Sequence, residues 1–222
     1  MKEHLTVLSD AERSALYNRP VYNNEQRLEY LSLTTEELEI ALSRHNISAQ
    51  IYCIIQIAYF KAVKMFFRIT WPEVGSKDIN FILQQYFQNQ IFDPQAISRH
   101  EHFAQCGEIF SFFGYTYWAK IKEQNLFEHA EKIIRRDMNP QFIAMEILDY
   151  LQAQKIIRPG YTTLQSIVST IINTERNRLA EIIKDHLSND EKKSLESLII
   201  EDEILSKLAA LKGSSGFTMG DS

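Results

Sequence analysis

The sequence predicts an all-α protein in which tandem helix-turn-helix-like modules are followed by a helical hairpin. Glycine and proline are scarce, with 7 and 5 in 222 residues, which suits long helices better than strands joined by tight turns. Capping-box spacings recur ahead of apolar stretches: Ser9 with Glu12, Thr34 with Glu37 and Ser188 with Glu191. Apolar residues also repeat at helical spacing, most clearly from Ile47 to Arg68.

The first capping box predicts a short helix from Ser9, ended by Asn18 to Pro20. A brief second helix is expected over Asn24 to Tyr30. Thr34 and Glu37 start a third, EELEIALSRH, which stops near His45 and Asn46. The central stretch ISAQIYCIIQIAYFKAVKMFFR follows at once, giving helix, tight turn, helix over Thr34 to Phe67. Ile51, Ile54, Ile55, Ala58, Ala62, Met65 and Phe66 share one face of it, and Lys61, Lys64 and Arg68 line up on another. No Asp or Glu occurs from Ile40 through Pro72, so Arg44, Lys61, Lys64 and Arg68 stand locally unopposed. Such a stripe is either the wet edge of a core helix or a surface for phosphate.

Trp71, Pro72 and Gly75 interrupt the pattern, and Ser76 restarts it as the N-cap of SKDINFILQQYFQNQ. Asp93 before Pro94 reads as the start of a longer helix that reaches Phe113 and ends at Gly114. This second helix-turn-helix unit is expected to expose Arg99, His100, Glu101, His102 and Gln105, side chains able to hydrogen-bond bases or phosphates. Helices are expected next over Tyr115 to Asp137 and Asn139 to Gln154. Arg158, Pro159 and Gly160 mark the clearest internal boundary. Thr162 or Thr163 then caps a long helix, and Ser188 a last one reaching Leu211. The closing GSSGFTMGDS holds three of the seven glycines and is expected to be disordered. The domain reading is therefore 1–72 and 73–157 as two helical DNA-binding modules, 158–212 as a hairpin for linkage or dimerisation, and 213–222 as a tail.

Hydrophobic content of 45% and charged content of 24% are those of a globular chain, and the net charge of −5 disfavours nonspecific coating of nucleic acid. Cys53 and Cys106 fall inside apolar helical patterns, as buried free thiols of a reducing compartment. The richest apolar run is interrupted by Gln56, Lys61 and Lys64, and a cytoplasmic protein without membrane contact is expected. Catalytic patterns are not evident. His100 and His102 are two apart and point about 160° from each other on a helix, unlike a one-face metal pair. Neither cysteine has a CxxC partner, and no cofactor motif is found.

Three stretches carry a family likeness: RPGYTTLQSIVSTIINTERNRL from Arg158 to Leu179, ISRHEHFAQCGEIFSFFGY from Ile97 to Tyr115, and LSDAERSAL followed by YLSLTTEELEIALSRH. They resemble the N-terminal region of the Tn-three-type replicative transposases of bacteria, over about residues 5 to 212. The resemblance implies binding to the terminal inverted repeats of a transposon through helix-turn-helix units, without a cofactor. It places Arg99, His100 and His102 in a matched stretch; Arg44, Lys61, Lys64, Arg68 and Gln105 join them from the chain's own pattern. The acidic, metal-dependent nuclease of that family is not in the matched stretches, so no enzymatic activity is expected. ILSKLAALK resembles a segment that runs on in the family, so the tail reads as a natural truncation or an appended expression tail. A natural truncation would compete with full transposase as a repressor, with that enzyme or a second copy of itself as partner. The rival reading is a helical protein-interaction or dimerisation module without DNA binding of its own.

Overall fold

A computed structural model of the chain describes residues 5–118, 123–186, 188, 190, 191, 193 and 194. It is all-α: the described residues form helices joined by irregular segments, with one isolated parallel bridge, Thr116 to Ile156. The helices are α1 (Asp10–Tyr17), α2 (Asn24–Leu31), α3 (Thr35–Leu42), α4 (Ile47–Val63), α5 (Ser76–Tyr86), α6 (Arg99–Phe113), α7 (Glu123–Ile134), α8 (Pro140–Ala153) and α9 (Tyr161–His186). A 3₁₀ turn spans Trp71–Glu73. Two compact units are present, residues 1–172 and 173–222.

The predicted capping boxes form at α1 and α3, where Ser9 and Thr34 accept from the backbones of Glu12 and Glu37, whose side chains reach back. Asn23 and Gln26 make the same box at α2. Asn139 caps α8, with Pro140 at its first position, and Gly114 ends α6 at φ 69°, a left-handed conformation suited to glycine.

The first unit holds two cores. One surrounds α4, whose residues from Ile51 to Phe60 are all buried. Ile51, Ile54, Ile55 and Ile57 are at most 2% exposed, each contributing about 1.5–3 kcal/mol of burial. Side chains of α2, α3, α5 and α6 join it, including Leu31, Ala41, Ile82, Ile109 and Phe110, so both predicted helix pairs share this core. The other core gathers Val7 and Leu8 with α7, α8 and the start of α9, through Leu126, Ile133, Ile143, Ile147, Leu164 and Val168. Tyr17 ties the start of the chain to this region by donating its hydroxyl to the Pro159 carbonyl at 3.1 Å. In the second unit, Arg178 bonds Glu175 at 2.5 and 2.7 Å, and the Ser188 hydroxyl donates to Glu191 at 2.7 Å.

Several helix boundaries differ from the sequence reading: Ser76, expected as an N-cap, is the first residue of α5 behind Gly75, and α9 starts at Tyr161, ahead of the expected cap at Thr162 or Thr163. Three others differ more. The central helix was expected to run to Arg68, but it stops at Val63 with Lys64 in the left-handed region at φ 52°. The cause lies within the helix. Gln56, fully buried, donates its amide to the Phe67 carbonyl at 2.7 Å and accepts from the Phe67 N–H at 3.2 Å, folding the chain back along α4. Phe66 then stacks on Phe60 at 5.1 Å and Phe67 meets Tyr59 edge-on at 5.5 Å. The helix expected from Asp93 begins instead at Arg99, capped by Ser98. Residues 91–98 are irregular because they are pinned from outside: Gln95 donates its N–H to Ser48 Oγ at 3.0 Å and accepts from Trp71 Nε1 at 2.7 Å. Twelve residues thus separate α5 from α6, not a tight turn. The helix expected from Tyr115 does not include Tyr115 to Tyr117, because Thr116 pairs with the segment after α8, donating to Lys155 O at 2.9 Å and accepting from Ile157 N at 3.0 Å; its described part is α7. The expected last helix to Leu211 lies largely, and the tail entirely, outside the described residues.

Replacing Gln56 by Leu removes both bonds to Phe67 and leaves two backbone groups unpaired, so unfolding free energy in urea should fall by about 2–4 kcal/mol. An unchanged urea midpoint would show that the chain reversal does not depend on the amide.

Candidate nucleic-acid interface

The eight basic or polar side chains singled out in the sequence separate by what they touch. Lys61 donates to Glu37 at 3.0 Å and to the Ser32 carbonyl at 3.2 Å; the Glu37 side chain is 6% exposed. This lysine neutralises a buried carboxylate that also closes the cap of α3. Arg44 bonds Glu108 and the Ile40 carbonyl. Lys64, turned off the helix, donates to the Lys61 carbonyl at 2.7 Å and lies 5.7 Å from the Phe60 ring centroid. Burial, then the charges of Arg158 and Lys61, hold its pKa below the ordinary lysine value. With α4 ended at Val63, Arg68 leaves the helix, so the expected three-cation stripe does not form on one helix face.

His102 and Gln105 were expected on the exposed face of α6, but both are buried, at 7% and 0% exposure. The reason is register: Cys106, Ile109 and Phe110 turn the same face into the core. Gln105 donates to the Ala49 carbonyl at 3.3 Å. His102 Nδ1 lies 2.9 Å from the Tyr52 hydroxyl. A neutral imidazole nitrogen can accept the phenol proton across this contact. Burial, and then the Arg68 charge, push the His102 pKa down, which keeps the ring neutral. Burial likewise raises both cysteine thiols to about 12, and they remain unpaired.

The Tyr52–His102 contact ties α4 to the first half of α6. The exposed Arg68, just after α4, lies close enough for its charge to act on His102. Arg99 and His100 are exposed in the first turn of α6. Arg99 lies 5.5 Å over the ring of Phe103, a large apolar side chain 55% exposed that the sequence reading did not single out. Ala104, Gly107 and Ser111 continue this outer face, and a Cβ built on Gly107 meets nothing within 4 Å. The two acids of α6 are drawn aside by the turn between α3 and α4: Glu108 pairs with Arg44, and Glu101 lies 3.3 Å from His45. The outer face therefore carries basic, aromatic and small residues, bordered by Glu108, which is 46% exposed and paired with Arg44.

Among the described residues, no group of three or more His, Cys, Asp or Glu side chains could hold a metal ion, and no helix is long and apolar enough to cross a membrane. A family model described as a domain of unknown function, DUF4158, matches residues 7–171. The chain belongs to the DUF4158 family. This DUF4158 chain is also 22% identical over 179 residues to the transposase for transposon Tn1546 of Enterococcus faecium. That match covers 77% of the DUF4158 chain and 17% of the transposase, so the chain spans a small part of that relative's length. It is a transposase-related chain.

The buried His102 makes stability depend on pH with a definite sign. Its folded pKa lies below the ordinary histidine value, so the unfolded chain binds the extra proton as pH falls through about 6.5, and stability present above that pH is lost below it. The His102→Gln variant should show a shallower loss of melting temperature from about pH 7 to pH 5 than the parent; equal slopes would assign that loss to other groups.

Proposed function

We propose that the chain is the DNA-recognition part of a Tn-three-type transposase and binds the terminal inverted repeats of its transposon. The observation that carries this reading is the outer face of α6, where Arg99, His100 and Phe103 are exposed, with exposed Arg68 close enough to act on His102 of the same helix. In a chain of net charge −5, Arg68 and Arg99 stay exposed, while Lys61 and Arg44 are taken up by carboxylates. The kinship with a transposase supports the same reading.

Helix α4 is buried on all sides and cannot enter a groove, so of the two helix pairs the reader is α6. Its N-terminal residues approach base edges, as recognition helices do, and Ala104, Gly107 and Ser111 let its backbone come close to the duplex. Arg68 contacts a phosphate, while His102 and Gln105 hold α6 in place from the inside. Nuclease chemistry belongs to another part of such a transposase. Any polypeptide that binds the ends without that part competes with the full enzyme, and repression of transposition is the role such a fragment would have. A protein-interaction role is the second reading, favoured by Ile182 and Ile183, which stand exposed on α9 at 41% and 50%.

Binding is read by fluorescence anisotropy on a duplex carrying the inverted repeat and on a scrambled duplex, across a salt series. The parent should prefer the repeat and lose affinity steeply with salt. The Arg99→Ala variant should lose preference for the repeat by roughly tenfold. Arg68→Ala should weaken both duplexes alike and lower the salt slope by about one. Absence of binding to either duplex at low salt would replace this function with the interaction-module reading.

A further inference from the structure

The end of α4 abuts a cavity of about 60 Å³ that the duplex-binding face does not use. Its lining includes Lys64, Tyr115, Asp149, Gln152 and Arg158, over an apolar floor that includes Met145 and Leu148. Arg158 reaches it from the segment before α9, donating Nη2 to the Val63 carbonyl and lying 5.5 Å over the Tyr17 ring. Its Nε is buried and has no hydrogen-bond partner. Lys64 uses one donor on the Lys61 carbonyl. Neither cation forms an ion pair with a carboxylate among the described residues, although Asp149 lines the same cavity.

The charge of this arrangement does not balance. Two positive groups are drawn out of water side by side, and the helix end they cap supplies about half a negative charge. Asp149 is exposed and leaves part of the excess unanswered. The remaining groups suit an oxyanion: spare guanidinium and ammonium donors, the Gln152 amide and the Tyr115 hydroxyl, which burial keeps protonated. The cavity has room for roughly four or five water molecules, enough for one tetrahedral oxyanion.

We infer that the cavity between the end of α4, α8 and the Arg158 segment binds a phosphate group, with Lys64 and Arg158 as its charged donors. The group comes from a free phosphate compound or from the end of a nucleic-acid strand, the same chemistry in both cases. Because Lys64 ends the helix at the heart of the first core and Arg158 precedes α9 of the second, a bound phosphate fastens one core to the other. The inference is independent of the duplex reading on α6.

The test is calorimetric titration of the full chain with inorganic phosphate at constant ionic strength, and with a short oligonucleotide carrying either a 5′-phosphate or a 5′-hydroxyl. The parent should bind phosphate saturably. Lys64→Asn keeps a residue tolerated in the left-handed region and should weaken binding roughly tenfold. Asp149→Asn removes the carboxylate from the lining and should strengthen binding several-fold; it also keeps the test decisive if the first variant fails to fold. Tighter binding of the 5′-phosphorylated strand than of its 5′-hydroxyl form assigns the source to nucleic acid; equal strands with phosphate bound assign it to a free compound. No saturation by the parent up to about 10 mM, or equal affinities for parent and Asp149→Asn, would overturn the proposal.

Discussion

From Ile47 to Phe60 the chain runs for fourteen residues without a charged side chain, and a helix of that composition has to be enclosed on every side. The first core follows from that requirement. Helices α2, α3, α5 and α6 each turn a narrow apolar stripe toward α4, and none of them buries more than a few residues otherwise. Enclosure also demands that the polar groups inside be answered. Gln56 finds the backbone of Phe67, Tyr52 finds His102, and Gln105 finds the Ala49 carbonyl. Each of these bonds joins two pieces of chain distant in sequence, so the polar groups in this core fix which segments lie beside α4 while the apolar ones supply the driving force.

The same economy of charge shapes the outer surface. Arg44, His45 and Lys61 sit near the ends of α3 and α4 and take up Glu108, Glu101 and Glu37. What a linear reading sees as an unopposed basic region is, in three dimensions, balanced by acids from α3 and α6. The imbalance moves elsewhere: to Arg68 and the first turn of α6, and to the half-buried pair Lys64 and Arg158. An acidic protein thereby keeps positive potential at two small places, where a phosphate would meet little competing negative charge.

Many helix ends were legible from local signals, although Ser76 and Thr162 or Thr163, read as caps, lie inside their helices. Ser9 with Glu12, Thr34 with Glu37, Asn139 with Pro140, and Gly114 state their boundaries within a few residues, and the structure agrees with them. Boundaries set by distant partners were not legible. Nothing within a helical turn of Val63 announces that Gln56 will hold Phe67, and Asp93 before Pro94 is a good helix start overruled by Ser48 and Trp71. The true start of α6 did carry a local signal, since Ser98 and Glu101 have capping-box spacing. Of the candidate site, Arg99 and His100 were legible as polar residues of a helix, whereas the burial of His102 and Gln105 depends on the register that Cys106, Ile109 and Phe110 impose. Phe103 was passed over because a phenylalanine in a helical pattern ordinarily points inward.

The Gln56 clamp has one more effect. Phe67 lies in a segment with no regular secondary structure, yet its amide hydrogen is held by a side chain that is wholly enclosed. Exchange of that hydrogen with solvent requires the interior around α4 to open, so it proceeds at the pace of the helix and not of the connecting segment. On the exchange timescale the non-helical residue 67 belongs to the same cooperative unit as the buried helix it folds back upon.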